Sequence, residues 1–395
     1  MPADAGHSMG MEKEDNLGGR MNNNNQEKKI AEIARLSTRD QKKESPDISR
    51  GSVATGENQE IQKTDIPEIG RLSASDLKKE IADISRLSGE IDEKVNEFVV
   101  GNKEIVDLIL MALLNEGHIL LEGVPGTAKT TISKIIALIT GCNFNRIQGA
   151  IDTQPADMLG VRIYDVHKKE FVLRKGPVFT NILLVDEINR INPKSQSAFI
   201  EVMSERQVTL DGITLPMLSP FFVIATQNPH EFEGTFPLIE VQRDRFMFNI
   251  RSDHLNADEE LSIIKRANSG QLNWDSFTRT LKPILTPQIL RHYIQVVRQV
   301  TIEEPVLQYI RDLVVATRTH PDIELGASTR ASLALVNGGK TMAALNNRTF
   351  VIPDDIKQIS RAVIAHRLVL SRDAEIEGIT RGQIMDEILT KVEVL

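Results

Sequence analysis

The passage from His118-Ile-Leu-Leu-Glu122 into Gly123-Val-Pro-Gly-Thr-Ala-Lys-Thr130 leaves this chain few folds to choose from. An apolar run that reads as a buried strand, a glycine-rich loop, and a Lys-Thr pair opening a helix have the layout of a phosphate-binding loop. Glycine lets the backbone curl until several N–H groups point into one cavity, and the helix behind adds its positive N-terminal end. In this reading Gly123, Val124, Pro125, Gly126, Thr127 and Ala128 wrap the phosphates, and Lys129 reaches the outer ones. The Thr130 hydroxyl ligates Mg2+, and Thr131 is counted with the nucleotide-binding residues. The strict pattern has glycine where this chain has Ala128. Alanine is the smallest substitute and is expected to fit if the position has helical dihedrals.

Two further segments give the loop its context. Asn181-Ile-Leu-Leu-Val-Asp-Glu187 places four apolar residues before two acids, as in a strand buried on both faces of a parallel sheet. Its acids then lie at the ligand edge of an open α/β sheet, where Asp186 holds Mg2+ through water and Glu187 polarises the attacking water. Phe221-Phe-Val-Ile-Ala-Thr-Gln-Asn-Pro229 is again apolar and ends in a polar cluster, with Asn228 placed to hydrogen-bond the water or the γ-phosphate. Taken singly, each segment could be an ordinary turn, and Asn-Pro commonly is one. Their order along the chain argues for a nucleotide site.

The formal net charge of −8 argues weakly against non-specific nucleic-acid binding. Cys142 is the only cysteine, so no intrachain disulfide framework is expected. There is no apolar leader and no run of membrane-spanning length, so the expected location is the cytoplasm. Residues 1–88 contain no aromatic residue and are rich in Lys, Glu, Asp, Asn, Ser and Gly, the composition of a disordered tail. Within them, the segment Glu32 to Arg50 recurs as Glu68 to Arg86, and Ser37 and Ser73 each precede an aspartate by three residues, a helix-start signal. The repeat is either a tandem docking motif or a duplication in a tolerant tail.

From residue 89 to 254 strands near 118–122, 144–148, 182–186, 221–226 and 246–250 alternate with helices, which predicts a doubly wound parallel α/β sheet. Two hairpin inserts interrupt it, over 161–173 and over 207–215 with Asp-Gly at the turn. From 255 to 395 only helical patterns remain, predicting a separate all-α lid domain.

Together these segments resemble the AAA+ ATPases, and in detail the MoxR family. The resemblance rests on Gly123 to Thr130 including the alanine, Asp186-Glu-Ile-Asn-Arg190, Glu201-Val-Met-Ser-Glu205, Ala225-Thr-Gln-Asn-Pro229, Glu231-Phe-Glu-Gly-Thr235, Asp244-Arg-Phe246 and Leu325-Gly-Ala-Ser-Thr-Arg-Ala-Ser332. It spans roughly residues 92–372 and implies Lys129 and Thr130 in the first nucleotide motif, Asp186 and Glu187 in the second, and Asn228 as the polar sensor. It also implies Arg245 as the arginine reaching across a subunit boundary and Arg330 as the lid's sensor arginine. The family pattern Leu-Pro-Glu-Ala-Gln-Leu reads Leu238-Ile-Glu-Val-Gln-Arg243 here, so Arg243 competes with Arg245 for the finger role. The resemblance further implies ATP and Mg2+ as cofactors and a homo-oligomeric, hexameric ring. It implies chaperone-like remodelling, maturation or metal insertion of a separate client, often with a von Willebrand factor A domain protein. A DNA-remodelling motor of the related helicase branch and a nucleotide-gated scaffold are the alternative classes.

Overall fold

The computed structural model describes residues 70–101, 103–123, 128–228, 234–252 and 255–394. They all belong to one compact unit. Val124, Pro125, Gly126 and Thr127 lie outside the described residues, as does the first copy of the repeat.

The second copy of the repeat is folded. Helix α1 runs Ala74–Asn96, capped by the Ser73 side chain, which accepts from the Asp76 N–H. Its Ile81, Ile84, Ile91 and Val95 are buried, and it packs on helices of the C-terminal region. The expectation that residues up to 88 stand outside the folded core is therefore corrected: the described body is already helical at Ala74. Composition misled here because aliphatic residues at helical spacing bury a stripe without any aromatic. The first copy has Ser45 and Pro46 where the second has Ile81 and Ala82; it therefore lacks the main apolar anchor and carries a helix breaker.

Helix α2 (Lys103–Leu114) leads into strand β1 (Ile119–Gly123), and helix α3 (Lys129–Ile139) follows the loop. Strand β2 (Phe144–Gln148), short helix α4 (Pro155–Leu159) and the hairpin β3 (Gly160–Asp165) and β4 (Glu170–Lys175) come next. Strand β5 (Ile182–Asp186) is followed by helix α5 (Pro193–Glu205) and the hairpin β6 (Gln207–Leu210) and β7 (Ile213–Pro216). The Asp211-Gly212 turn has positive φ at both residues, as a two-residue hairpin loop demands. Strand β8 (Phe222–Gln227), short helix α6 (Glu240–Arg243) and strand β9 (Phe248–Ser252) complete the sheet.

The sheet is parallel throughout, in the order β2-β5-β8-β1-β9. The central strands β1, β5 and β8 are apolar on both sides because both sides are covered, whereas β2 at the sheet edge carries Asn145, Arg146 and Gln148. Ile119, Leu121, Leu184 and Ile224 join one core with α1, α2 and α3, while Leu120, Leu183, Val185 and Val223 join another with Phe199 and Met203 of α5. A topological switch lies where β1 is flanked by β8 and β9, and Gly123 ends β1 at the carboxyl edge there.

The C-terminal region comprises helices α7 (Ala257–Asn268), α8 (Trp274–Thr280), α9 (Pro287–Arg298) and α10 (Glu304–Thr319), then strand β10 (Ile323–Leu325). Helices α11 (Thr329–Leu345) and α12 (Pro353–Ile364), strand β11 (Val369–Leu370), and helices α13 (Arg372–Ile376) and α14 (Arg381–Lys391) complete it. The lid is helical apart from the antiparallel pair β10–β11, which a purely helical reading missed because its strands are too short to show a period. Among the described residues no helix is long and apolar enough to cross a membrane.

Candidate active site

A cavity of about 390 Å3 opens at the carboxyl edge of β1, β2, β5 and β8, lined by Gly123, Ala128, Lys129, Thr130 and Thr131 and by Asp186, Glu187 and Asn228. The structure thus brings eight of the anticipated residues to one place. Parallel strands end at the same edge, so each strand's last side chains converge there.

Ala128 is in the left-handed region, φ 55° and ψ 16°, not the helical conformation expected for it. This is a conformation glycine adopts without cost and alanine does not. The Lys129 ammonium donates to the Gly123 carbonyl at 2.7 Å. Burial pushes its pKa below the ordinary lysine value, and Asp186 offsets part of that shift. A partly desolvated ammonium at the carboxyl end of β1 suits an anionic ligand.

Asp186 is nearly buried and is gripped from three sides. Thr130 donates to its Oδ2 at 3.4 Å, Thr226 donates to its Oδ1 at 3.1 Å, and Arg146 Nε lies 2.6 Å from Oδ2. A carboxylate beside a hydroxyl is a hard-oxygen donor pair of the kind Mg2+ takes, so these residues fit the ion. Glu187 is also left-handed, φ 55° and ψ 52°, with its N–H donated to Thr226 Oγ1 at 3.0 Å. Its carboxylate accepts from Gln148 Nε2 at 3.0 Å and lies 3.4 Å from Arg190 Nε. Strain of this kind persists only where surrounding bonds over-determine it, and it clusters at functional sites. A Cβ on Gly149 would collide with the Glu187 carbonyl oxygen, so only glycine allows β2 to approach the acidic pair this closely.

Arg146, Gln148 and Thr226 were not singled out from the sequence. Their relation to the acids lies in strand pairing: β2 and β5 pair in register with Gln148 opposite Asp186, which turns the polar end of β2 toward the acids. Asn228 lines the cavity, and its carbonyl accepts from Asn189 Nδ2 at 3.5 Å.

The arginines are elsewhere. Arg245 folds against α5, donating to the Ile200 carbonyl at 3.4 Å and to the Ser204 hydroxyl. Arg243 pairs with Glu240 at 3.1 Å, and Arg330 pairs with Asp244 at 3.2 Å. None of the three lines the cavity. Asp244 also accepts from Ser328 Oγ at 2.9 Å and from Arg367 Nε at 3.0 Å. Arg367 is buried, and burial lowers its pKa to about 10 despite the partly compensating Asp244. This cluster ties the lid to the sheet domain beside Arg245.

Comparison with known proteins agrees with this geometry. Residues 118–248 match the family "ATPase family associated with various cellular activities (AAA)", and residues 315–388 match the AAA lid domain. The chain is 39% identical over 308 residues to the chaperone MoxR1 of Mycobacterium tuberculosis, covering 76% of this chain and 80% of that protein. It is 41% identical over 308 residues to the uncharacterized protein YeaC of Bacillus subtilis, covering 78% and 95%. A crystal structure from Cytophaga hutchinsonii, described as a candidate ATPase, superposes with a TM-score of 0.75 at 38% identity, covering 81% of this chain and 98% of that one. With a nucleotide-type cavity, an AAA module, its lid and MoxR-named relatives in a single chain, this protein is a member of the MoxR family of AAA+ ATPases and hydrolyses ATP.

Proposed function

We propose that ATP is bound with Mg2+ in the cavity at the carboxyl edge of the sheet and that its hydrolysis remodels a separate client protein. The observation that carries this reading is the acidic pair: Asp186 held beside Thr130, and Glu187 fixed in a strained conformation by Thr226 and Gln148. In this reading Val124, Pro125, Gly126 and Thr127 complete the loop around the phosphates, Lys129 neutralises the outer ones, and Thr130 and Asp186 hold the ion. Mg2+, when bound, neutralises phosphate charge and fixes the phosphate geometry. Glu187 accepts a hydrogen bond from the attacking water, and Asn228 orients it. Catalysis is positioning and charge neutralisation, with no covalent step on the protein.

A second part of the reading concerns assembly. Arg245 and Arg330 stand outside the cavity of their own chain, which fits action on a neighbour's nucleotide in a ring, taken here as a hexamer. We assign the sheet domain to residues up to about 254 and the lid to residues from 255. The client is a separate protein, with a von Willebrand factor A domain protein as the first candidate partner, and maturation or metal insertion as the task. The compartment is the cytoplasm, where ATP is supplied. Glu187→Gln tests the reading: ATP binding should persist while turnover falls about 10²–10⁴-fold, and rings with trapped client should accumulate. Normal turnover in that variant would overturn the assignment of Glu187.

A further inference from the structure

A second cavity, about 570 Å3, opens between strands β1 and β9 of the sheet and helices α12 and α14 of the lid. It shares no lining residue with the nucleotide cavity. Five cationic side chains line it, Arg243, Arg251, Lys357, Arg361 and Arg381, against the carboxylates of Glu104, Glu122 and Asp386. Arg243 stands where the family pattern carries leucine, so this basic lining is not part of the motif that identified the ATPase.

The ion pairs inside the cavity leave donors over. Arg251 is 3.8 Å from Glu122, Arg361 pairs with Asp386, Arg243 is 3.1 Å from Glu240 and Lys357 is 4.0 Å from Asp354, so Arg381 alone of the five has no ion-pair partner among the described residues. Arg243 Nε, Arg381 Nε and the Asn249 amide nitrogen are buried without any hydrogen-bond partner, and all three residues line this one cavity. The Arg381 charge is disfavoured first by burial and next by Arg243. Buried donors without acceptors are costly, and a buried cation facing other cations is more so. An acceptor-rich anion would supply the partners these donors lack. Guanidinium forks suit phosphoryl oxygens in particular, and Gly382, in the first turn of α14, brings a helix N-terminus to the same wall.

We propose that this cavity is a second anion site, taking a small ligand with two or more phosphoryl groups and separate from the hydrolytic centre. Its volume lies within the range of small-molecule sites, and its guanidiniums come from both the sheet domain and the lid. Such a ligand joins Arg243 and Arg251 of the sheet domain to Arg361 and Arg381 of the lid. It therefore stabilises this arrangement of the two by mass action. The proposal does not depend on the ATPase reading.

The test uses the full chain carrying Lys129→Ala, so that the loop after β1 no longer competes. Inorganic triphosphate is titrated at constant ionic strength, with calorimetry and thermal unfolding as readouts. Saturable binding is expected, with Tm rising about 2–4 °C. Adding Arg381→Gln should weaken that binding about tenfold or more. Without ligand, Arg381→Gln should unfold no earlier than its parent, because an unpaired cation has been removed; a purely structural role would lower Tm. ATP is run alongside. Equal responses to ATP and triphosphate identify the phosphate chain as the recognised element, whereas a response to ATP alone overturns the proposal. Absence of saturable triphosphate binding, or binding unchanged by Arg381→Gln, also overturns it. Should Arg381→Gln fail to fold, the more exposed Arg251→Gln is expected to weaken binding in its place, and no effect there refutes the site.

Discussion

Removing the N-terminal part of α1 should unfold or cripple the lid, although its composition resembles that of the residues before it. Ile81 and Ile84 are 0% and 3% exposed, and α1 packs against α9 and α11. Ser85 adds a hydrogen bond to the Leu345 carbonyl at 2.7 Å, and the Leu72 N–H donates to Gln299 Oε1 at 2.8 Å. Truncating one buried isoleucine to alanine costs about 2–5 kcal/mol, the transfer term plus the cavity it leaves. The total stability of a folded protein is only about 5–15 kcal/mol, so Ile81→Ala alone removes a sizeable fraction. Ile84 is about one turn away in the same buried cluster, so the double variant should cost less than the sum. The assay is urea unfolding followed by far-UV circular dichroism, where the midpoint of Ile81→Ala should drop at unchanged slope. A truncation beginning at residue 89 should lose more than Ile81→Ala, whereas one beginning at 70 retains every α1 contact; the two differ only in residues 70–88. If the form beginning at 89 unfolds at the full-length midpoint and hydrolyses ATP at the full rate, the assigned role of α1 is wrong.

Three further predictions rest on other parts of the molecule. Ala128→Gly should raise stability by about 1 kcal/mol by relieving a left-handed alanine, with ATP turnover kept; a lower unfolding midpoint would refute the strain. Arg245→Ala should lower ATP turnover by about 10³-fold or more, and mixing it with Lys129→Ala should restore part of the rate; if Arg245→Ala turns over normally, Arg245 is not the finger. Burial, and secondly Asp92, raise the Asp107 pKa from 3.8 to about 6. The folded state then binds the proton more tightly than the unfolded chain, so this contribution to stability is full below about pH 4 and fades as pH rises through about 6. Asp107→Asn should flatten that interval in a pH series of unfolding midpoints, and an unchanged profile would refute the assignment.

Much of this architecture could be read from the chain, for identifiable reasons. The three central strands β1, β5 and β8 lay where unbroken apolar runs predicted them, because strands covered on both faces cannot hide among polar residues. Ser73 marked the start of α1, but the aromatic-free composition around it was given more weight than the Ile81, Ile84, Ile91 spacing. The acids Asp186 and Glu187 were legible as strand-end residues. Arg146 and Gln148 were not, since their meaning lies in the pairing of β2 with β5, which no local window contains. The conformation of Ala128 was misjudged for a similar reason: whether a loop residue is helical or left-handed is decided by the path of the loop. The second, basic cavity is assembled from β1, β9, α6, α12 and α14, segments separated by up to two hundred residues or more, so no motif could announce it.

The cluster around Asp244 has a mechanical consequence. Asp244 holds Ser328, Arg330 and Arg367 of the lid, and the next residue along the chain is Arg245. One peptide unit, about 3.8 Å from Cα to Cα, therefore separates the carboxylate that anchors the lid from the residue whose guanidinium rests on α5. Any rotation of the lid that carried Asp244 with it would reach Arg245 across a single peptide unit rather than through a long linker. A substitution that loosens Asp244 would weaken that link while leaving every residue that lines the nucleotide cavity in place.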